Sequence, residues 1–393
     1  MNRRELIALS GMSLVGRRAF AQGPQSHATP ESEPEVPAPQ ILVRDYRPKS
    51  LYRIPIAEIK KAKYPIIDAH CHGARPVEQL DEWVRTMDEV GVERTVIFTG
   101  ASTPDRFSEM RKAYDRYPGR FDLWCNFDLE GADQPGFGPD AVNSLEQCHR
   151  AGARGVGEVT DKGLGLNHPI GTGPAAWRAR TVAGPRPHAD DPRLDVLWEK
   201  CAQLGMPVNI HVSDPIWDYY PMDETNDGLW LWLWDIDLKQ PGIWGHNQLI
   251  ESLERTANKH PKTVFIACHL ANLDYDLTRL GQMLDRHPNL FADISARFPM
   301  VAEIPRFANQ FLQKYPDRVL YATDVAYSQV MFSTTFRILE SNDEHFYPPD
   351  NVYGFPGMYY WPLHGLGLPD DVLKKVYHDN ALDVFNKAQN HAA

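Results

Sequence analysis

Pro65-Ile66-Ile67-Asp68-Ala69-His70-Cys71-His72 is the stretch from which the rest of the chain is read. A short apolar run ends in two histidines one residue apart. In an extended strand side chains alternate between faces, so His70 and His72 project together from the carboxyl end and Cys71 turns away. Two neutral imidazoles converging on one point suit a divalent metal. Taken alone, His-x-His is also consistent with two unrelated polar residues at a strand end. What decides between these readings lies downstream.

From Tyr64 onward, short β-rich runs alternate with longer helix-like stretches. The strands expected are Pro65-Ala69, Thr95-Thr99, Leu123-Phe127, Gly155-Val159, Pro207-His211, Val264-His269, Leu290-Asp293 and Val319-Thr323. Amphipathic segments separate them, among them Glu78-Val90, Ser108-Tyr117, Ala141-Ala151, Arg193-Leu204, Asn247-His260, Tyr275-His287 and Val301-Tyr315. Several end in helix stop signals, such as Val90-Gly91, Leu204-Gly205, His260-Pro261 and Tyr315-Pro316. Eight alternations of β and α imply a parallel α/β sheet, closed as a (β/α)8 TIM barrel with long loops after strands 4 and 5. An open doubly wound sheet would want a glycine-rich phosphate loop after its first strand, where this chain has His70-Cys71-His72.

In such a barrel, residues ending different strands meet at one mouth. Strand 1 brings His70 and His72, strand 4 Glu158, strand 5 His211, strand 6 His269 and strand 8 Asp324. Each follows an apolar run, where an uncompensated polar group is costly. One of them alone would be read as a satisfied core residue. Six at one rim are read as metal ligands. His149, His260 and His287 fall in helical segments or at helix ends and read as surface residues. Arg297, after strand 7, is either a bidentate clamp for a substrate carboxylate or a surface ion-pair partner.

The two long connections run from Thr160 to Asp190 and from Val212 to Gly245. The second holds Trp217, Tyr219, Tyr220, Trp230, Trp232, Trp234 and Trp244. Trp217 and Trp230 are candidate substrate-binding residues, since aromatic walls bind planar or cyclic molecules; the same rings equally pack over the barrel mouth.

The chain has 393 residues, 42% of them hydrophobic, and a formal net charge of -11. That is enough for a large core. An acidic chain without a basic stripe argues against nucleic acid as a partner. No apolar stretch reaches the ~20 residues that span a bilayer, so the mature chain is expected to have no integral membrane segment. Asn2-Arg3-Arg4-Glu5-Leu6-Ile7, the apolar run Leu6 to Val15 and the small-x-small site Ala19-Phe20-Ala21 read as a twin-arginine signal over residues 1–21. Export to the periplasm is expected; a cytosolic tail is the alternative. Residues 22–50 open on a segment rich in Pro, Glu and Ser and are assigned as a solvated tether, with the barrel domain at 51–393. Five widely spaced cysteines, an odd number, read as buried free thiols.

The strand-end residues resemble those of the amidohydrolase superfamily, most of all its amidohydrolase-related branch, which includes aminocarboxymuconate semialdehyde decarboxylase. The resemblance runs from about Tyr64 to Asn386. It rests on Asp68-Ala69-His70-Cys71-His72, His211, His269, Asp324, Gly367-Leu368-Pro369-Asp370-Asp371-Val372-Leu373 and Asn380-Ala381. It implies that His70, His72 and Asp324 bind the principal metal, joined by His211, and that His269 binds a second metal or polarises substrate. Gly157-Glu158-Val159 stands where many binuclear relatives bridge two metals with a carboxylated lysine. It is more similar to the TatD-type hydrolases, in which a glutamate bridges. Glu158 is therefore either a bridging ligand or a carboxylate that pairs with the ligands.

The cofactor implied is a divalent metal, zinc, as one ion or two. The implied mechanism uses a water activated by the metal. Asp324 takes its proton and returns it to the leaving group, the metal and His269 stabilise the developing oxyanion, and His211 is the further catalytic candidate. The expected function is a metal-dependent hydrolase of a small cyclic or aromatic amide, ester or lactone. The alternative is a nonhydrolytic carboxy-lyase of the same family. His211 is followed by Val212-Ser213-Asp214, not by the His-Pro-Trp-Asp of those decarboxylases, which favours hydrolysis. A noncatalytic binding barrel is disfavoured because no ligand position is lost. The expected partner is a small-molecule substrate, and a homodimer is compatible with the sequence.

Overall fold

The structure is a computed structural model. It describes residues 40–392 apart from 43–44, 74–76, 133, 135–136, 169–185, 231–235, 237, 240, 350–351 and 353–360. The expected signal at 1–21, most of the tether, Trp232, Trp234 and much of the loop after strand 4 lie outside the described residues.

Eight parallel strands run in chain order: β1 (Ile66–His72), β2 (Val92–Phe98), β3 (Phe121–Trp124), β4 (Val156–Asp161), β5 (Val208–Val212), β6 (Phe265–Ala267), β7 (Leu290–Asp293) and β8 (Val319–Leu320). β1 to β3 pair in order, as do β4 to β8. Backbone hydrogen bonds cross both remaining seams. Cys125 N donates to Gly155 O and Gly157 N to Cys125 O between β3 and β4; Ala69 N donates to Tyr321 O and Asp324 N to His70 O between β8 and β1. The eight strands therefore form a (β/α)8 barrel. The helices between them are α1 (Val77–Val90), α2 (Pro104–Tyr114), α3 (Pro139–Arg150), α4 (Asp195–Leu204), α5 (His246–Lys259), α6 (Leu277–Arg286), α7 (Phe298–Val301) and α8 (Pro305–Lys314). α9 (Gln329–Glu340), α10 (Asp370–Lys374) and α11 (Asn380–Ala392) follow β8.

The two helices that differ most from the sequence reading do so because of a proline. The segment read as Ser108-Tyr117 starts four residues earlier, with Pro104 in the first turn of α2, where its missing N–H costs nothing. The segment read as Val301-Tyr315 is broken into α7 and α8, since Pro305 starts a new helix rather than continuing one. His260 and His287, read as surface residues, are buried; His260 meets Asp195 at 3.0 Å and His287 meets Glu254 at 3.3 Å. All five cysteines are buried and free. Among the described residues no helix is long and apolar enough to cross a membrane.

The core has two compartments. Leu80, Trp83, Val208, Ile210, Phe265 and Leu284 belong to the layer between sheet and helices. Ile67, Ala69, Val96, Phe98, Trp124, Ile266, Phe291 and Leu320 fill the barrel, with Ala381, Val384 and Ala388 of α11 packed against them as a plug. Each fully buried Val, Leu, Ile or Phe contributes roughly 1.5–3 kcal/mol. The polar site is therefore set in a rigid apolar frame.

Two bulges aim the strand-end side chains at the barrel mouth. Between Asp68 and Cys71, β1 advances three residues while its partner advances two, from Thr95 to Ile97. Before the bulge Ile67 and Ala69 face the barrel interior; after it Cys71 packs outward, and His70 and His72 take the inward face. β4 does the same between Val156 and Val159, against Val208 and Ile210 of β5. Val156 and Val159 then both pack outward and Glu158 turns in. Gly157 is required there: a Cβ would lie 2.8 Å from Phe98 Cε1 and 3.0 Å from Asn209 Cβ.

Candidate metal centre

Beyond the β1 bulge, the Nε2 atoms of His70 and His72 are 3.2 Å apart. Asp324 Oδ1 lies 3.2 Å from each. The backbone bond from Asp324 N to His70 O, 2.8 Å, pins this carboxylate beside β1. Glu158 faces the same group from β4. Its Oε2 is 3.2 Å from His72 Nε2, while its Oε1 is 2.7 Å from His211 Nδ1 and 3.4 Å from His269 Nε2. One carboxylate thus spans two donor groups. His70, His72 and Glu158 can share an ion, as can His70, His269 and Asp324; Glu158, His211 and His269 form a further triplet. The expectation that His211 joins His70, His72 and Asp324 is not what the donors do. His211 stands with Glu158 and His269, and its Nε2 is buried without a hydrogen-bond partner, 3.8 Å from Asp214.

The proton positions follow from the partners. His269 Nδ1 lies 2.9 Å from the carbonyl of Ser295, which only accepts, so Nδ1 carries the hydrogen and Nε2 keeps its lone pair toward Glu158. His70 Nδ1 lies 3.1 Å from Asp293 Oδ2, which likewise leaves His70 Nε2 as a donor atom facing His72 and Asp324. His269 is the second residue of a turn, Cys268–Asn272, and the first of four successive residues with φ of 57°, 54°, 57° and 53°. Left-handed backbone costs non-glycine residues roughly 1–2 kcal/mol each. Side-chain bonds hold it: Asn272 Nδ2 donates to Val212 O at 2.9 Å, and His246 Nε2 donates to Asn272 O at 3.0 Å.

Electrostatically the cluster calls for a cation. Burial pushes the Glu158 and Asp324 carboxyls up, but the charges and hydrogen bonds of His211 and His70, respectively, outweigh it and hold both well below the usual range. Burial pushes the His70 and His72 imidazoles down, and the facing carboxylates more than reverse it, raising both. A divalent ion shared by Nε2 of His70, Nε2 of His72 and Asp324 Oδ1 would satisfy the same three atoms, and the preset lone pairs of His70 and His269 suit a ligand role. The residues fit a metal.

The other candidates fall around this centre. Arg297 is only 6% exposed. Its Nε lies 3.2 Å from Asp274 Oδ1, Nη2 donates to Asn272 Oδ1, and Nη1 donates to Ala296 O at 3.0 Å. It is therefore a buried ion-pair partner that braces the turn carrying His269, not a surface one. Trp217 is half-buried in the 3-10 turn Ile216–Tyr219 after β5. The Trp230 side chain lies outside the described residues. Trp244, at the far end of that loop, stacks on His188 with centroids 3.5 Å apart; His188 Nδ1 is 2.8 Å from Asp161 Oδ2 at the end of β4, so the two long loops are tied together. Asn209, Asp293, Ser295 and Asp214 were not singled out from the sequence. A signal was available for Asp293: a carboxylate closing an apolar strand.

The amidohydrolase family model matches residues 67–387. No curated protein matches the chain. Among solved structures, an uncharacterized TIM-barrel protein from Bordetella bronchiseptica is 17% identical, covering 83% of this chain and 99% of its own, with a TM-score of 0.46. A probable 2-pyrone-4,6-dicarboxylic acid hydrolase from Acinetobacter baumannii, with citric acid bound, is 12% identical over 82% of this chain and 99% of its own, TM-score 0.44. An amidohydrolase from Burkholderia multivorans with bound zinc is 11% identical over 82% and 99%, TM-score 0.44.

Proposed function

The chain belongs to the amidohydrolase family, and from that premise we propose that it is a metal-dependent hydrolase of a small cyclic or aromatic amide, ester or lactone. The observation that carries the reading is the convergence of His70, His72 and Asp324, with Glu158 reaching from them to His211 and His269. His70, His72 and Asp324 would hold the principal ion, zinc, and Glu158, His211 and His269 a second. A metal bound there supplies Lewis acidity, which acidifies water and polarises a carbonyl.

The chain's own residues do the rest. Asp324, with a side chain 26% exposed, is more open than Glu158 at 10%. It takes a proton from the attacking water on its carboxylate and returns it to the departing heteroatom. Glu158 stays ionised and keeps the His211 and His269 rings in register. The half-buried Trp217, in the turn that follows β5, is the residue we assign to meet a planar substrate. Export by a twin-arginine signal belongs to the same reading, and cell fractionation with and without Arg3 and Arg4 tests it.

The test of the reaction is a panel of cyclic and aromatic amides, esters, lactones and carboxylates offered to the zinc-loaded protein in 18O-enriched water. Hydrolysis with solvent oxygen in the product supports the proposal. Carbon dioxide release without oxygen uptake overturns it in favour of a carboxy-lyase.

A further inference from the structure

Resting on the metal-binding reading of the site, we propose that Asp293 is the positioning residue that sets both His70 and His269 for the ion. Asp293 closes β7 and is fully buried beneath the site. Its Oδ2 accepts from His70 Nδ1 at 3.1 Å and from Asn209 Nδ2 at 3.0 Å. Its Oδ1 accepts from His269 N at 3.0 Å, Ser295 N at 3.1 Å and Ser295 Oγ at 2.5 Å. Five donors from β1, β5, the turn after β6 and the turn after β7 meet on one carboxylate.

A buried carboxylate is tolerated only when its oxygens are satisfied, and these donors satisfy both. The arrangement does two things. A carboxylate only accepts, so it keeps the His70 proton on Nδ1 and the lone pair on Nε2, which faces His72 and Asp324. Its other oxygen anchors the first backbone N–H of the left-handed turn that aims His269. Through Ser295 it also fixes the carbonyl that holds the His269 Nδ1 proton. Two ligands, one on β1 and one in the turn after β6, are thereby oriented by one group that touches neither lone pair.

Asp293 is not itself read as a ligand, although His70, Cys268 and Asp293 also lie close enough to share an ion. Both its oxygens are committed. The Cys268 thiol donates to Asn209 Oδ1 at 2.5 Å, and burial holds that thiol protonated. The floor of the site is a closed hydrogen-bond network.

The experiment uses the full-length protein loaded with Zn2+ or Co2+. Asp293→Asn removes the charge and leaves one accepting oxygen where there were two. Its zinc dissociation constant, by chelator competition, is expected to rise about 10–100-fold, and the visible spectrum of the cobalt form to change. Wild-type zinc affinity with an unchanged cobalt spectrum overturns the proposal, including when the metal-free variant melts at lower temperature, since lost stability alone is a structural role. Should Asp293→Asn not fold, Asn209→Ala decides. It keeps the His70–Asp293 bond but removes one anchor of Oδ2, and a several-fold loss of zinc affinity with an altered cobalt spectrum is expected; no change overturns the proposal. Failure of the wild type to bind zinc would instead remove the metal reading itself.

Discussion

Asp324→Asn separates proton transfer from metal holding. Asp324 Oδ1 stands 3.2 Å from both His70 Nε2 and His72 Nε2, and its side chain is 26% exposed, open to a water in the mouth. The amide keeps the shape but takes no proton at neutral pH. Positioned acid–base groups are worth about 10²–10⁴-fold, which at about 1.4 kcal/mol per decade is roughly 3–5 kcal/mol of barrier. Metal binding weakens but is not abolished, because His72 Nε2 remains 3.2 Å and His70 Nε2 4.0 Å from Glu158 oxygens. Steady-state kinetics at saturating zinc, with metal content measured on both proteins, should show kcat down at least about 10²-fold and KM little moved. Turnover within a few-fold of wild type at full occupancy would refute the proton-transfer role. So would complete recovery on adding zinc, which would make Asp324 a ligand only.

Glu158→Gln should lower bound zinc from two equivalents toward one by metal analysis; one equivalent in both proteins removes the bridging role. Trp217→Ala should raise KM while zinc content stays the same, and unchanged kinetics or lost metal would count against a substrate wall. Gly157→Ala should destabilise by roughly 1–3 kcal/mol in urea denaturation, because the new methyl meets Phe98 and Asn209 inside the barrel. His246 is buried, and its imidazole is pushed from 6.5 down to about 4, chiefly by burial. The unfolded chain therefore binds a proton that the folded one refuses. The stability that this neutral imidazole confers is full above pH 6.5 and falls as pH drops toward 4, by up to roughly 3 kcal/mol. His246→Gln should flatten that slope between the urea midpoints at about pH 7 and about pH 5, and an unaltered slope would assign the acid sensitivity to other groups.

The sequence by itself determined the barrel. β-rich runs and amphipathic stretches separated by glycine and proline stops are local signals, and eight alternations leave few topologies. The strands lie where those runs are, and His70, His72, Glu158, His211, His269 and Asp324 all stand at one rim because strand ends share a face of the fold. Tertiary structure decided the rest. Simple alternation along β1 puts His70 on the same side as Ile66, which packs outward; a one-residue bulge, set by the pairing of β1 with β2, turns the histidines inward. The same device turns Glu158. The company His211 keeps with Glu158 and His269, the burial of Arg297 against Asp274 and Asn272, and the five donors around Asp293 all join residues from different strands. Register and cross-strand hydrogen bonds depend on the neighbouring strand as much as on the residue itself. Periodicity along one segment says which residues share a face, and only the packed sheet says which face is the inside.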